Sequence, residues 1–232
     1  MQPHITMKNS FPRWALGELN AEPEVMDYLQ TFVDRIFKYA VGSFEWTNTK
    51  QIIVKVQKGS TFQTKYGTLD GVRGYHKIPC RTYTSGSHQA GGINTADFIE
   101  KGGKATVTVN IGTIYYRKYV LMIEKGISHG AAMGMVKGEL AQTVFHELTH
   151  AHQHDRGSLW FERSANGKKW AHVWEGDKPV VVENLSYNSY LALPWEVEAR
   201  SRADSLVAGF TRHLKIRNAK SLTFNELESI LK

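Results

Sequence analysis

A run of five residues, HELTH at 146–150, constrains this chain more than any other feature. It lies within a segment, 134–154, that is predicted to be helical because apolar residues recur there every three or four positions. Residues four apart on a helix sit about 40° apart around its axis, so His146 and His150 can reach one metal ion from the same side. The fold must therefore keep one face of this helix available to a metal and to its other ligands.

The predicted helix has an apolar stripe that should face the core: Val136, Leu140, Val144, Leu148 and Ala151. His146 and His150 belong to a separate polar face about 140° away. Glu147 lies beside the histidine pair, where it can accept a proton from a water activated by the metal. His152 and His154 follow too far along the axis to reach the same ion, so we expect them at the surface or supporting a ligand.

A catalytic zinc site needs a third protein ligand, and a second helix predicted from Pro194 to about Leu214 offers two carboxylates. Glu196 falls within about 40° of the centre of that helix's apolar side, whereas Glu198 lies about 120° away. Glu196 is therefore the expected third ligand, and Glu198, expected to face solvent, is an alternative. A carboxylate at Glu196 that pairs with an arginine or caps the helix is the competing structural interpretation.

HELTH followed by E-x-E-A on a later helix resembles the zincin metallopeptidases of the gluzincin type. Within that class it is most similar to IrrE/ImmA-type proteases, HtpX-type peptidase domains and zincins encoded by phages, over about residues 106–210. The resemblance implies a zincin-like α+β fold with a small mixed or antiparallel sheet, in which 104–111 is the edge strand beside the substrate. The chain departs from the family pattern at Arg200, where Asp or Asn is frequent.

The function implied by the resemblance is hydrolysis of peptide bonds in a peptide or protein substrate. One Zn²⁺ per chain would be bound by His146, His150 and Glu196, with Glu147 as the general base. Two tyrosines before the second helix, Tyr187 and Tyr190, are candidates to stabilise an oxyanion, although such residues more often serve packing.

Two alternative functions remain open at this stage. One is a protease resembling the DNA-associated SprT-type zincins, in which the third ligand would be His172. Its segment, KKWAHVW, reads as a strand of alternating pattern and lacks the His-Gly pair that is typical of those proteins. The other alternative is a binding or structural protein that contains zinc without catalysing a reaction.

The remaining pattern predicts a single α+β domain over 1–232. Apolar spacing predicts helices at 24–40 and 112–125, and β-branched runs predict strands at 51–57 and 104–111. A glycine-rich segment of strands and loops is expected at about 59–112, and a hairpin at about 170–183 around the turn sequence EGDK. Thr223 and Glu226 form a capping box that predicts a last short helix.

Composition limits the classes of protein that fit. Hydrophobic residues at 41% and charged residues at 22% are ordinary globular values, which argues against disorder. The sequence has no apolar run long enough to span a membrane and no secretory signal, and its one cysteine excludes an internal disulfide framework. We therefore expect a cytoplasmic or virion-associated protein that does not contact membranes.

The formal net charge of +7 is concentrated toward the C-terminus, where Arg200–Lys220 holds six Lys/Arg against Asp204. A solvated helix face is the simplest interpretation of this stretch. We expect it to support only weak nucleic-acid contact without sequence preference, lost as salt is raised, because phosphate binding releases counterions. Titration of a labelled duplex at several salt concentrations measures this, and tight, sequence-specific binding at physiological salt would favour the SprT-like alternative.

Overall fold

The described residues form a mixed α/β structure with a small sheet and several helices, compatible with the expected α+β class. This computed structural model describes residues 1–9, 11, 13, 15–19, 21–58, 62–63, 69–70, 74–77, 103–163, 170–182 and 185–216. The strands are β1 His4–Asn9, β2 Gln51–Gln57, β3 Phe62–Gln63, β4 Leu69–Asp70, β5 Gly74–Lys77, β6 Lys104–Asn110, β7 Leu159–Arg163 and β8 Trp170–Trp174. The helices are α1 Ala15–Leu19, α2 Pro23–Val41, α3 Ile111–Tyr115, α4 Leu121–Glu124, α5 His129–Asp155, α6 Tyr187–Leu191 and α7 Pro194–Ile216.

The main sheet has the order β1-β2-β6-β5, with β1, β2 and β6 parallel and β5 antiparallel to β6. Alternate residues of β2 and β6 point into the core, so that Val54 lies opposite Val107 and both are fully buried. The resemblance implied that 104–111 is an edge strand, and this is wrong: β6 is interior, because β5 pairs along its outer side. Of the described strands, β1 and β5 lie at the two edges of this sheet, and β5 is the one next to β6.

Helix α2 confirms the prediction from apolar spacing. All six residues that define its predicted inner face are buried: Val25, Leu29, Phe32, Val33, Ile36 and Phe37. Pro23 occupies the first turn, where its missing N–H costs nothing. The predicted helix at 112–125 is present from Ile111 to Glu124, but a π-helical turn, Tyr116–Val120, separates α3 from α4.

Helix α5 carries the HELTH motif and is longer than predicted, because it begins at His129 after the N-cap Ser128. Its apolar stripe is buried as expected, from Val136 to Ala151. At its end the N–H groups of Gly157 and Ser158 bind the carbonyls of His154 and Gln153, at 3.1 and 2.9 Å. Gly157 has a φ of 76°, the left-handed conformation that this helix stop requires.

The predicted hairpin at 170–183 differs in its pairing. Strand β8 forms its ladder with β7, from Leu159 opposite Trp174 to Arg163 opposite Trp170. The segment after the turn contributes a single bridge, in which His172 and Val180 exchange backbone hydrogen bonds. Gly157, in its left-handed conformation, reverses the chain after α5, and residues 159–163 then take the position beside β8 that was predicted for the segment after the turn.

Some predictions fall partly or wholly outside the described residues. The capping box at Thr223 and Glu226 lies outside them, as does most of the glycine-rich segment apart from β3, β4, β5, β6 and the start of α3. No helix in the described ranges is both long and apolar enough to cross a membrane.

Asp155, the last residue of α5, ties this helix to the segment that leads into β2. Its carboxylate accepts hydrogen bonds from the backbone N–H groups of Thr47, at 2.7 Å, Asn48, at 2.9 Å, and Thr49. Burial alone would raise the pKa of Asp155, but these donors hold it below its usual range. The carboxylate therefore fixes the end of the motif helix relative to the sheet.

We expect Asp155→Asn to lower the free energy of unfolding by about 3 kcal/mol at pH 7, because buried N–H groups lose a charged acceptor. The depressed pKa means that this stabilisation is present above the unfolded-state value near about pH 4 and is lost as pH falls through the folded-state value. Urea unfolding at pH 7 and pH 3 measures both effects. Asp34→Asn, at an exposed Asp34–Lys38 pair, is the control and should cost less than about 0.5 kcal/mol.

Candidate metal centre

Two imidazoles and one carboxylate meet where α5 packs against α7. His146 and His150 are one helical turn apart, and their Nε2 atoms are 3.0 Å from each other. Glu196, in the first turn of α7, places Oε2 at 3.4 Å from Nε2 of His146 and Oε1 at 3.2 Å from Nε2 of His150. The structure thus brings together the three residues that the sequence proposed as ligands.

The carboxylate of Glu196 is buried, with a side chain only 3% exposed. Burial alone would raise its pKa, but hydrogen bonds with His146, His150 and Tyr190 hold the pKa far below its usual range. Burial alone would lower the pKa of His150, yet its hydrogen bond with Glu196 and the charges of Glu196 and Glu147 raise it. A buried anion is thus stabilised by the imidazoles beside it.

The donor set fits a metal ion. One ligand atom from each of His146, His150 and Glu196 lies within 4.8 Å of the other two, so a single ion can contact all three. The side chain of His146 is 22% exposed while the other two are nearly inaccessible, so the group opens toward solvent on the His146 side. These three residues could hold a metal and leave one position for another ligand.

Glu147 is nearly buried on α5, next to His146 in the chain. After burial and the larger effect of Glu196, the charge of Glu147 also acts to raise the pKa values of His150 and Tyr190. This is the neighbourhood that a general base acting beside the metal requires.

Tyr190 contacts a predicted ligand directly. Its hydroxyl donates a hydrogen bond of 2.5 Å to Oε1 of Glu196, and burial followed by the charge of Glu196 raises the pKa of the hydroxyl. In this structure Tyr190 therefore holds the carboxylate, whereas an oxyanion-stabilising role stays a prediction. Helix α6 begins at Tyr187, whose side chain lies outside the described residues.

His172, the alternative third ligand, is not part of the group of ligand atoms. Its ring is stacked on Trp195, with centroids 5.4 Å apart, and contacts Phe161 edge to face at 4.3 Å. His154 stacks on the same Phe161 at 5.1 Å. These rings fill the space between β7, β8 and the start of α7, which gives His172 a packing position.

Glu198, the other alternative ligand, does not face solvent freely as expected. Its Oε2 atom accepts hydrogen bonds from Nε2 of Gln153, at 2.9 Å, and from Arg156, at 2.6 Å. The expectation from helical phase overlooked that the end of α5 lies beside this side of α7. Glu198 is outside the ligand group but is connected to it through Gln153.

His152 is also not a surface group. Its Nε2–H donates to the carbonyl of Glu45 at 3.1 Å, and its ring contacts Phe44 and Trp46. Burial and the nearby Arg202 lower its pKa, which favours the neutral imidazole. His152 therefore serves packing on the side of α5 that faces away from the ligand group.

The basic stretch Arg200–Lys220 does not form one uniform charged face. Arg200 donates to the carbonyl of Leu191, and the guanidinium of Arg202 lies 4.5 Å from the ring centre of Phe44 and 4.0 Å from Glu198. Arg212 is exposed, while the residues after 216 lie outside the described ranges. The first two arginines of this stretch, Arg200 and Arg202, therefore contact other parts of the fold.

Sequence reasoning gave no role to Gln153, the fully buried partner of His150. The signal was present, since a residue three positions after a ligand on a helix lies on the same face. The comparisons with known proteins add nothing to these assignments: no family model, no curated protein and no solved structure matches the chain.

Single substitutions separate the ligand candidates. Glu196→Ala should weaken zinc binding by more than about 100-fold, because two protein ligands would remain. His172→Ala should leave zinc affinity within about threefold but lower the melting temperature, because a ring is removed from between Phe161 and Trp195. Competition with a chromophoric chelator and thermal unfolding measure the two effects. Loss of zinc in His172→Ala, with affinity retained in Glu196→Ala, would move the third ligand to the hairpin.

Proposed function

We propose that this chain is a zinc-dependent peptidase with one zinc bound by His146, His150 and Glu196 and with Glu147 as the general base. One observation carries the proposal: three ligand atoms from two helices converge within 4.8 Å beside a nearly buried fourth residue, Glu147. The stability of the fold does not require two imidazoles beside Glu196, because a single cationic side chain could pair with its buried carboxylate.

Zinc suits this donor set better than the common alternatives. Two imidazoles and a carboxylate form one of the recurring ligand sets of catalytic zinc, whereas magnesium and calcium prefer oxygen ligands throughout. Structural zinc sites are closed by four protein ligands. The described residues offer three, and His146 leaves the group partly exposed, which favours a catalytic type of site.

The chain's own residues would divide the work of hydrolysis. When bound, zinc supplies a Lewis acid that polarises a carbonyl and makes water more acidic. Glu147 would accept the proton of the attacking water and pass it to the departing amine. Tyr190 would hold Glu196 in place, and the partly exposed side of His146 would admit the substrate.

The substrate would lie along β5. This strand is one of the two edge strands among the described strands, and it contacts the motif helix α5. An extended peptide can add a strand to such an edge through backbone hydrogen bonds. The resemblance to gluzincin-type zincins, in which an edge strand lies beside the substrate, agrees with this placement once β5 replaces 104–111.

Glu147→Gln tests the catalytic part of the proposal. The amide cannot accept a proton, so cleavage of fluorescently labelled casein should fall by at least about 100-fold while zinc content stays at one per chain. Glu139→Gln is the matched control, because it makes the same change about two turns earlier on α5. The Oε2 atom of Glu139 lies 3.5 Å from Nζ of Lys118. This variant should keep activity within about threefold.

Two results would contradict this proposal in different ways. Activity of Glu147→Gln within about tenfold of the parent would show that Glu147 is not the base. Zinc bound by the parent without cleavage of casein or of a mixed peptide library would favour a non-catalytic zinc protein. Elemental analysis of protein purified without a histidine tag provides the zinc content for both cases.

A further inference from the structure

The side chain of Gln153 is oriented by two oxygen acceptors. Its Nε2 donates to the carbonyl of Trp195 at 3.0 Å and to Oε2 of Glu198 at 2.9 Å. A backbone carbonyl only accepts hydrogen bonds, and so does a carboxylate paired with an arginine. The amide nitrogen must therefore face α7, which leaves the amide oxygen facing the other way.

That oxygen determines which nitrogen of His150 carries the proton. Oε1 of Gln153 lies 2.8 Å from Nδ1 of His150, and an amide oxygen can only accept. Nδ1 must then be the donor. In the neutral ring the lone pair is consequently on Nε2, the atom that lies 3.2 Å from Oε1 of Glu196 within the ligand group.

Glu198 is held in turn by Arg156, whose guanidinium donates to the same Oε2 atom at 2.6 Å. The hydrogen-bonded chain therefore runs from Arg156 through Glu198 and Gln153 to His150. It crosses from the end of α5 to the N-terminal part of α7 and back, so it also connects the two helices that supply the ligands.

We propose that Gln153 is a positioning residue that sets the tautomer and ring orientation of His150 for metal binding, with Glu198 and Arg156 holding its amide in place. The proposal rests on the metal centre proposed above. In this role Glu198, which was expected to face solvent, supports the site through Gln153.

Zinc affinity measures the contribution of Gln153. Gln153→Leu removes the acceptor for Nδ1 and should weaken zinc binding by about 10–100-fold, the usual effect of losing a residue that orients a ligand. Gln142→Leu is the matched control, because Gln142 also bridges α5 to α7 but its amide donates to Asp204, at 2.9 Å, rather than contacting a ligand imidazole. Its affinity should stay within about threefold of the parent, as measured by chelator competition.

A second measurement needs no variant. Long-range ¹H–¹⁵N NMR of the zinc-loaded parent should show a proton on Nδ1 of His150 and none on Nε2.

The outcomes separate this proposal from the metal centre. A parent that binds no zinc removes both the centre and the role of Gln153. A parent that binds zinc with the proton on Nε2 of His150, or a folded Gln153→Leu with unchanged affinity, overturns the role of Gln153 alone and leaves the centre in place.

Discussion

The buried carboxylate of Glu196 is the constraint on which the rest of this structure depends. An anion with a side chain 3% exposed is costly unless partners surround it, and here both imidazoles of the motif and Tyr190 provide them. Those partners come from α5 and α6, so α5, α6 and α7 must be held in fixed positions relative to one another. The packing around the site holds these three helices together.

Helix α5 is held in position because it packs against other elements on two of its sides. Its apolar side, from Val136 to Ala151, packs into the core formed by the sheet and α2. Its polar side packs against α7 through Gln142, the two histidines and Gln153. Its C-terminal end is fixed by the Asp155 carboxylate and by the left-handed turn at Gly157, so the ligand histidines lie on a helix that is held on two sides and at this end.

The parts of this site that the sequence predicts are those governed by a single helix. The spacing of His146 and His150 and the inward phase of Glu196 follow from 3.6 residues per turn, and the structure brings these three residues together. The two partners of Glu198, Gln153 and Arg156, could not be predicted in this way, because they depend on how close the ends of two helices lie. The pairing of β8 with 159–163 and the interior position of β6 likewise depend on contacts between distant segments.

The four histidines in the C-terminal part of α5, from His146 to His154, show how the same residue type acquires different roles from its neighbours. His154 is only about 40° around the axis from His150, yet one turn further along it meets Phe161 instead of Glu196 and becomes a stacking partner. His152 lies about 160° away from His150 and donates to the carbonyl of Glu45. Burial lowers the pKa of His152, which favours the neutral ring. His146 and His150 instead face the carboxylate of Glu196. The position of α7, rather than the density of histidines, therefore defines where a metal can bind.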